Sequence, residues 1–213
     1  IAPGGMGPVA HPCCRCDGSC ALTTLAECDQ MGGTWNVTLD TCASASCPSG
    51  APANDICSMM EVVTPGAFAF DTTCAGTELI SPVETELGPV LVGKDLWFSY
   101  RHEFNCDVSV TTCWSRFDTV IALYFDPNNP DVCPCPTDEN LATFLVACDE
   151  GCTGASVGGG GFVQLSTECE PEPFGCYTIR LGGFNGDSGI VNLDISCTLP
   201  GFVPQPPQAD PGG

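Results

Sequence analysis

Between Ile190 and Cys197 the chain alternates. Val191, Leu193, Ile195 and Cys197 fall on one side, and Asn192, Asp194 and Ser196 on the other. A period of two is the pattern of a strand with one buried face. Tyr177, Ile179 and Leu181 of CYTIRL repeat it, as do Val108 and Val110 of DVSVTTC. DTVIALYF and LATFLVAC are nearly continuous apolar runs of strand length, as expected of central strands. AFAF near Phe68, LWFSYR near Trp97 and FVQLS near Val163 complete a set of about eight strands. Turn-rich segments separate them: DPNNPD, EGCTG, VGGGG, PEPFG and GGFNGDSG. With no helical period and no internal repeat here, the pattern predicts an all-β, jelly-roll-like β-sandwich.

This sandwich occupies residues 54–199. Ahead of it lie a Pro/Gly-rich leader (1–12), a Cys-rich module (13–47) and a linker, PSGAPA (48–53). A Pro-rich tail (200–213) follows, extended and polyproline-like by composition. In the module, LTTLAEC predicts one short helix. Glu27 stands three residues after Thr24, the spacing of a capping box, and Gly32 and Gly33 stop the helix. About 35 residues bury too little apolar surface to hold together unaided, so covalent bridges must do so.

The cysteines fit that need. There are 18 in 213 residues, seven in the module and eleven beyond it. Complete pairing of two odd sets requires at least one bridge between module and sandwich. CCRCDGSC packs four cysteines into eight residues. Disulfides are the expected chemistry in an oxidising compartment. A zinc knuckle from Cys13, Cys16, Cys20 and Cys28 is the alternative. Spacing suggests three further pairs: Cys106 with Cys113 around one strand, Cys148 with Cys152 around an acidic turn, and Cys57 with Cys197 clasping the two ends of the sandwich. Spacing alone does not determine connectivity.

Charge narrows the partners. Twenty-six acidic residues stand against five basic ones, for a net charge of −21. Such a surface repels phosphate backbones and anionic lipids, so nucleic acid is not an expected partner. No apolar stretch reaches the roughly 18 residues that span a bilayer, and membrane insertion is not expected. A secreted, extracellular chain with its signal peptide already removed is the simplest reading.

The same charge favours Ca²⁺, which takes six to eight oxygen ligands. Candidate ligands are Asp126, Asn128 and Asp131 of DPNNPD, Asp149 and Glu150 of CDEGC, Asp118 of FDTV and Asp187 of FNGDSG. Asn and Asp also populate turns for backbone reasons, the simpler reading of any one loop. For carbohydrate, Trp114 is the surface candidate, whereas Trp97 lies in an apolar strand and Trp35 is expected to pack within its module. GASVG matches G-x-S-x-G around Ser156, but VGGGG follows in place of a helix and no histidine occurs after His102. No catalytic constellation is expected.

Two stretches look familiar. Adjacent Cys13 and Cys14, then DGSC, LTTLAEC, GGTW, Cys42 and Cys47 resemble a short Cys-rich module of secreted bacterial proteins, where it is structural. NDIC, KDLWFSY, CDVSVTTC, FDTVIALYFD, ACDEGC and YTIRLGGFNGDSGIVNLDISC are similar to the bacterial pre-peptidase C-terminal (PPC-like) domain. That resemblance implies a secreted, non-catalytic jelly-roll sandwich that sometimes binds calcium.

Together these features predict a secreted structural protein. It would self-assemble with other copies of itself through tail and edge contacts into a filament or surface layer, stapled by disulfides and stabilised by calcium. GFVP (201–204) and Ile1-Ala2-Pro3 are the extended apolar segments available for strand addition. The alternative is a non-catalytic module that binds extracellular glycans or accompanies a secreted enzyme.

Overall fold

The computed structural model describes residues 9–85, 88–103, 106–115, 117–149, 162–165 and 174–198. The tail, most of the leader, Glu150, Cys152 and Ser156 lie outside these.

The module begins inside the expected leader. Strand β1 (His11–Cys14) pairs on one side with β2 (Cys20–Thr23) and on the other with β3 (Thr34–Trp35). Helix α1 (Leu25–Gln30) lies between β2 and β3. Its capping box forms as the spacing predicts. Glu27 Oε2 accepts from the Thr24 N–H at 2.9 Å and from Thr24 Oγ1 at 2.9 Å. Gly32, at φ +62°, ends the helix, and the Gly33 N–H returns to the Cys28 carbonyl at 3.1 Å.

The sandwich contains β4 (Glu61–Val63), β5 (Gly66–Asp71), β6 (Val83–Thr85), β7 (Gly88–Val90), β8 (Val92–His102), β9 (Asp107–Thr111), β10 (Thr119–Tyr124), α2 (Leu141–Phe144), β11 (Leu145–Asp149), β12 (Phe162–Leu165), β13 (Gly175–Phe184) and β14 (Ile190–Thr198). One sheet runs β11-β10-β13-β8-β4, the other β12-β9-β14-β5, and β6-β7 is a separate hairpin. All pairs are antiparallel except β4 with β8. The expected all-β, disulfide-rich architecture is what forms. LATFLVAC is a correction: only Leu145–Asp149 is strand, while Leu141–Phe144 makes a helical turn. A short apolar run does not by itself distinguish the two.

Both faces of the five-stranded sheet are buried. Phe98 and Tyr100 of β8, Ile121 and Leu123 of β10, and Ile179 and Leu181 of β13 meet Val108, Val110, Val191, Leu193 and Ile195 of the other sheet. On the reverse face, Trp97, Val120, Ala122 and Tyr124 form a second core with Leu79, Val83, Val90 and Leu141. This outer layer explains why β10 is buried at every position and apolar from Val120 on.

A β-bulge in β8 serves the second core. Leu96 faces Leu181 and Gly93 faces Gly183, so Lys94 and Asp95 together oppose the single Gly182. Lys94 takes φ +54°. The extra residue shifts the alternation, so that Val92 and Trp97 point into the same outer core.

Candidate functional site

The cysteine cluster is a set of staples. Cys13 bonds Cys28, Cys14 bonds Cys47, Cys20 bonds Cys42, and Cys16 crosses to Cys74 in the sandwich. Cys16–Cys74 is the bridge that the odd counts required. The sulfurs of Cys14, Cys20 and Cys47 lie within 4.8 Å of one another. Each is already in a disulfide, so no thiolate remains there to hold zinc.

Two of the spacing-based pairs are corrected. Cys106 bonds Cys197, 91 residues away, and Cys57 bonds Cys135. Cys133 bonds Cys176. Strands β9 and β14 are hydrogen-bonded neighbours, with Cys197 opposite Val108, so Cys106 meets a residue distant in sequence. Cys113 is also disulfide-bonded, but not to Cys106. Cys148 lies in β11, opposite Ala122. Its expected partner Cys152 is outside the described residues.

The calcium candidates divide. In DPNNPD, Asp126 Oδ1 accepts from the Asn128 N–H at 2.9 Å, a turn-forming bond. Asp131 is exposed and pairs with Arg101 at 3.7 Å. Those groups stabilise a turn and an ion pair. Asp149 closes β11, and Glu150 lies outside the described residues.

Asp118 and Asp187 do come together, at the end of the β10–β13 pair where β10 begins and β13 ends. The Phe184 N–H donates to the Asp118 carbonyl at 2.9 Å, and the Asp187 N–H donates to the Phe184 carbonyl at 3.1 Å. A Cβ on Gly183 would lie 1.8 Å from the Asp187 carbonyl oxygen, so only glycine lets this turn fold back. Burial, then the Asp187 charge, pushes the Asp118 carboxyl above its ordinary value of 3.8. Neighbouring carboxylates of this kind are a starting point for a divalent cation.

Both histidines pack against aromatic rings. His11 Nδ1 lies 2.9 Å from the Leu39 carbonyl, and its ring packs edge-on against Trp35 at 5.0 Å. His102 is buried against Phe174 and Tyr177.

Sequence reasoning missed Arg180 and Asp95. Arg180 Nε donates to Asp95 Oδ2 at 2.6 Å, and both side chains are 0 % exposed. Arg180 Nη2 donates to the carbonyls of Leu79 (2.8 Å) and Val92 (3.0 Å), and the guanidinium lies 5.4 Å from the Trp97 ring centroid. The Glu78 N–H donates to Asp95 Oδ1 at 3.1 Å. This cluster ties the outer loops to the sheet. The available signal was an acid within the apolar KDLWFSY run.

Trp114 stands 80 % exposed, where the sequence placed a surface candidate, and Trp97 is fully buried. Trp35 packs in its module, with His11 edge-on to its ring. Its Nε1 donates to the Thr23 carbonyl at 2.9 Å within the module, yet its ring also lines a cleft against the sandwich. The cleft comprises adjoining cavities of about 580 Å³ and 330 Å³ that share Thr34, Trp35 and Ile190. No helix among the described residues is long and apolar enough to cross a membrane. Comparison with protein-family models, curated proteins and solved structures finds no match for this chain.

Proposed function

We propose that this is a secreted structural protein whose copies assemble by strand addition into an extracellular filament or surface layer. The observation that carries this reading is the free edge of β5. Among the described residues β5 pairs only with β14. Its six residues, GAFAFD, contain no lysine, no proline and no charge before Asp71. Phe68 and Phe70 are only partly buried against the core. Edge strands are ordinarily protected by charge, proline or a bulge, and an unprotected one accepts another strand.

The donor is an extended apolar segment of a neighbouring copy, with Gly201-Phe202-Val203-Pro204 as the choice the sequence offers. β14 ends at Thr198, beyond the Gly66 end of β5, where Thr64 and Pro65 lead in from β4. A return in the same chain would cross that connection, which folds avoid. Donation to the next copy has no such obstacle, and a head-to-tail contact that does not close grows into a filament. Disulfides would give resistance to unfolding outside the cell. Ca²⁺ bridging Asp118 and Asp187 would relieve their mutual repulsion.

Electron microscopy of non-reduced protein tests the reading, with and without a calcium chelator. Ordered filaments or sheets are expected from the intact chain and dispersed particles from a chain lacking residues 200–213. Dispersed monomers from the intact chain would overturn it. Filaments that survive chelation would remove calcium from the contacts.

A further inference from the structure

The cleft between module and sandwich is a built feature that meets β5 only at its last residue, Asp71. Its walls come from two units held together by Cys16–Cys74 and by the Thr34 hydroxyl, which donates to Asp71 Oδ2 at 3.4 Å. Its larger cavity, about 580 Å³, is in the range of small-ligand sites. We infer that this cleft binds a short segment of neutral oligosaccharide, with Trp35 as the stacking platform.

Four observations support that class. First, Trp35 is held in place before any ligand arrives. Its ring nitrogen bonds Thr23 and His11 packs against its ring, so little freedom remains to be lost on binding. Second, the lining mixes apolar and polar groups in the way a pyranose presents them. Val37, Leu25 and Ile190 are exposed apolar surface suited to C–H faces. Asn36 and Asn192 offer amide groups suited to sugar hydroxyls, beyond the bonds that Asn36 Oδ1 accepts from the Thr38 N–H and hydroxyl and that Asn192 Nδ2 donates to Trp114. Third, Asp71 and Asp187 line the cleft on a chain of net charge −21. That field disfavours uronates, sulfated sugars and phosphates, leaving neutral chains. Fourth, Asn192 Nδ2 donates to the Trp114 carbonyl at 2.7 Å. The backbone of a second, exposed tryptophan is therefore fixed beside Asn192, on the sandwich wall that faces Trp35.

The test is calorimetric titration of the whole disulfide-bonded chain with maltohexaose, cellohexaose, xylohexaose and chitohexaose, with an oligogalacturonate as the charged control. At least one neutral probe should bind, and the charged one should not. Trp35→Ala removes the platform and is expected to weaken binding about tenfold or more. Because Trp35 also packs in its module, Val37→Arg serves as the second variant. It fills the cleft from an exposed position and should weaken binding similarly while leaving the thermal midpoint unchanged. Failure of every neutral probe would overturn the inference. So would binding lost in Trp114→Ala but retained in Val37→Arg, which would place the ligand on the exposed tryptophan alone.

Discussion

Arg180 and Asp95 meet at 2.6 Å across the β13–β8 pair, with neither side chain reaching solvent. The pair lies on the face of the five-stranded sheet that points away from the sandwich core, which is sealed by the outer loops. Removing one partner leaves an uncompensated buried charge. Asp95→Ala is expected to cost about 3–5 kcal/mol in denaturant unfolding, and the double replacement Asp95→Leu with Arg180→Met clearly less. A single variant as mild as the double one would show that the pair contributes no such constraint.

Near the same end of the sheet, where β10 begins and β13 ends, Asp118 and Asp187 repel each other. Because the Asp118 carboxyl is raised above 3.8, the folded state holds that proton more tightly than the unfolded chain does. In the absence of calcium the associated stability is full below pH 3.8 and is lost as pH rises through the folded value. Asp118→Asn should therefore raise the thermal midpoint at neutral pH in chelator. Added Ca²⁺ should raise the wild-type midpoint and leave that of the variant unmoved. A wild-type midpoint indifferent to Ca²⁺ would remove this pair as a cation site.

The capping box of α1 titrates in the opposite sense. Hydrogen bonds from Thr24 hold the Glu27 carboxyl below its ordinary 4.5. Its contribution is present above pH 4.5 and is lost as pH falls through the folded value. Amide exchange in the first turn of α1 should accelerate over that acid range. In Glu27→Gln the acceleration should be absent, and equal pH dependence in both proteins would contradict the assignment.

Cys16–Cys74 spans 58 residues and joins the module to the sandwich. Replacing both cysteines by serine is expected to cost about 2–4 kcal/mol, read from denaturant unfolding of non-reduced protein. Limited proteolysis should then cut the linker at 48–53 sooner than in the wild type. Unchanged cutting would mean that noncovalent contacts hold the module equally well.

Much of this architecture was legible in the chain, for reasons tied to local pattern. Val191, Leu193 and Ile195 alternate because β14 has one buried face, and DTVIALYF is nearly continuously apolar because β10 has two. Thr24 and Glu27 signalled α1 because a capping box is local. What stayed hidden depends on non-local packing. Arg180 alternates with Ile179 and Leu181, so the strand pattern alone sends it towards solvent. Only the covering layer of Leu79 and the β6–β7 hairpin buries it. Cys106 stands seven residues from Cys113, yet sheet pairing carries it to Cys197. Trp114 was recognisable beside a strand end, but the cleft at Trp35 lies between units joined by the non-local Cys16–Cys74 bridge and Thr34–Asp71 bond.

Sedimentation velocity on non-reduced protein tests the proposal that copies join through the β5 edge, which is open among the described residues. Ala69 lies exposed at the middle of that strand, so Ala69→Lys adds a protective edge charge without disturbing the core. The wild type should sediment as a concentration-dependent series of oligomers and Ala69→Lys as a folded monomer. A wild-type protein that remains monomeric at every concentration, or a variant that assembles as well as the wild type, would contradict the account.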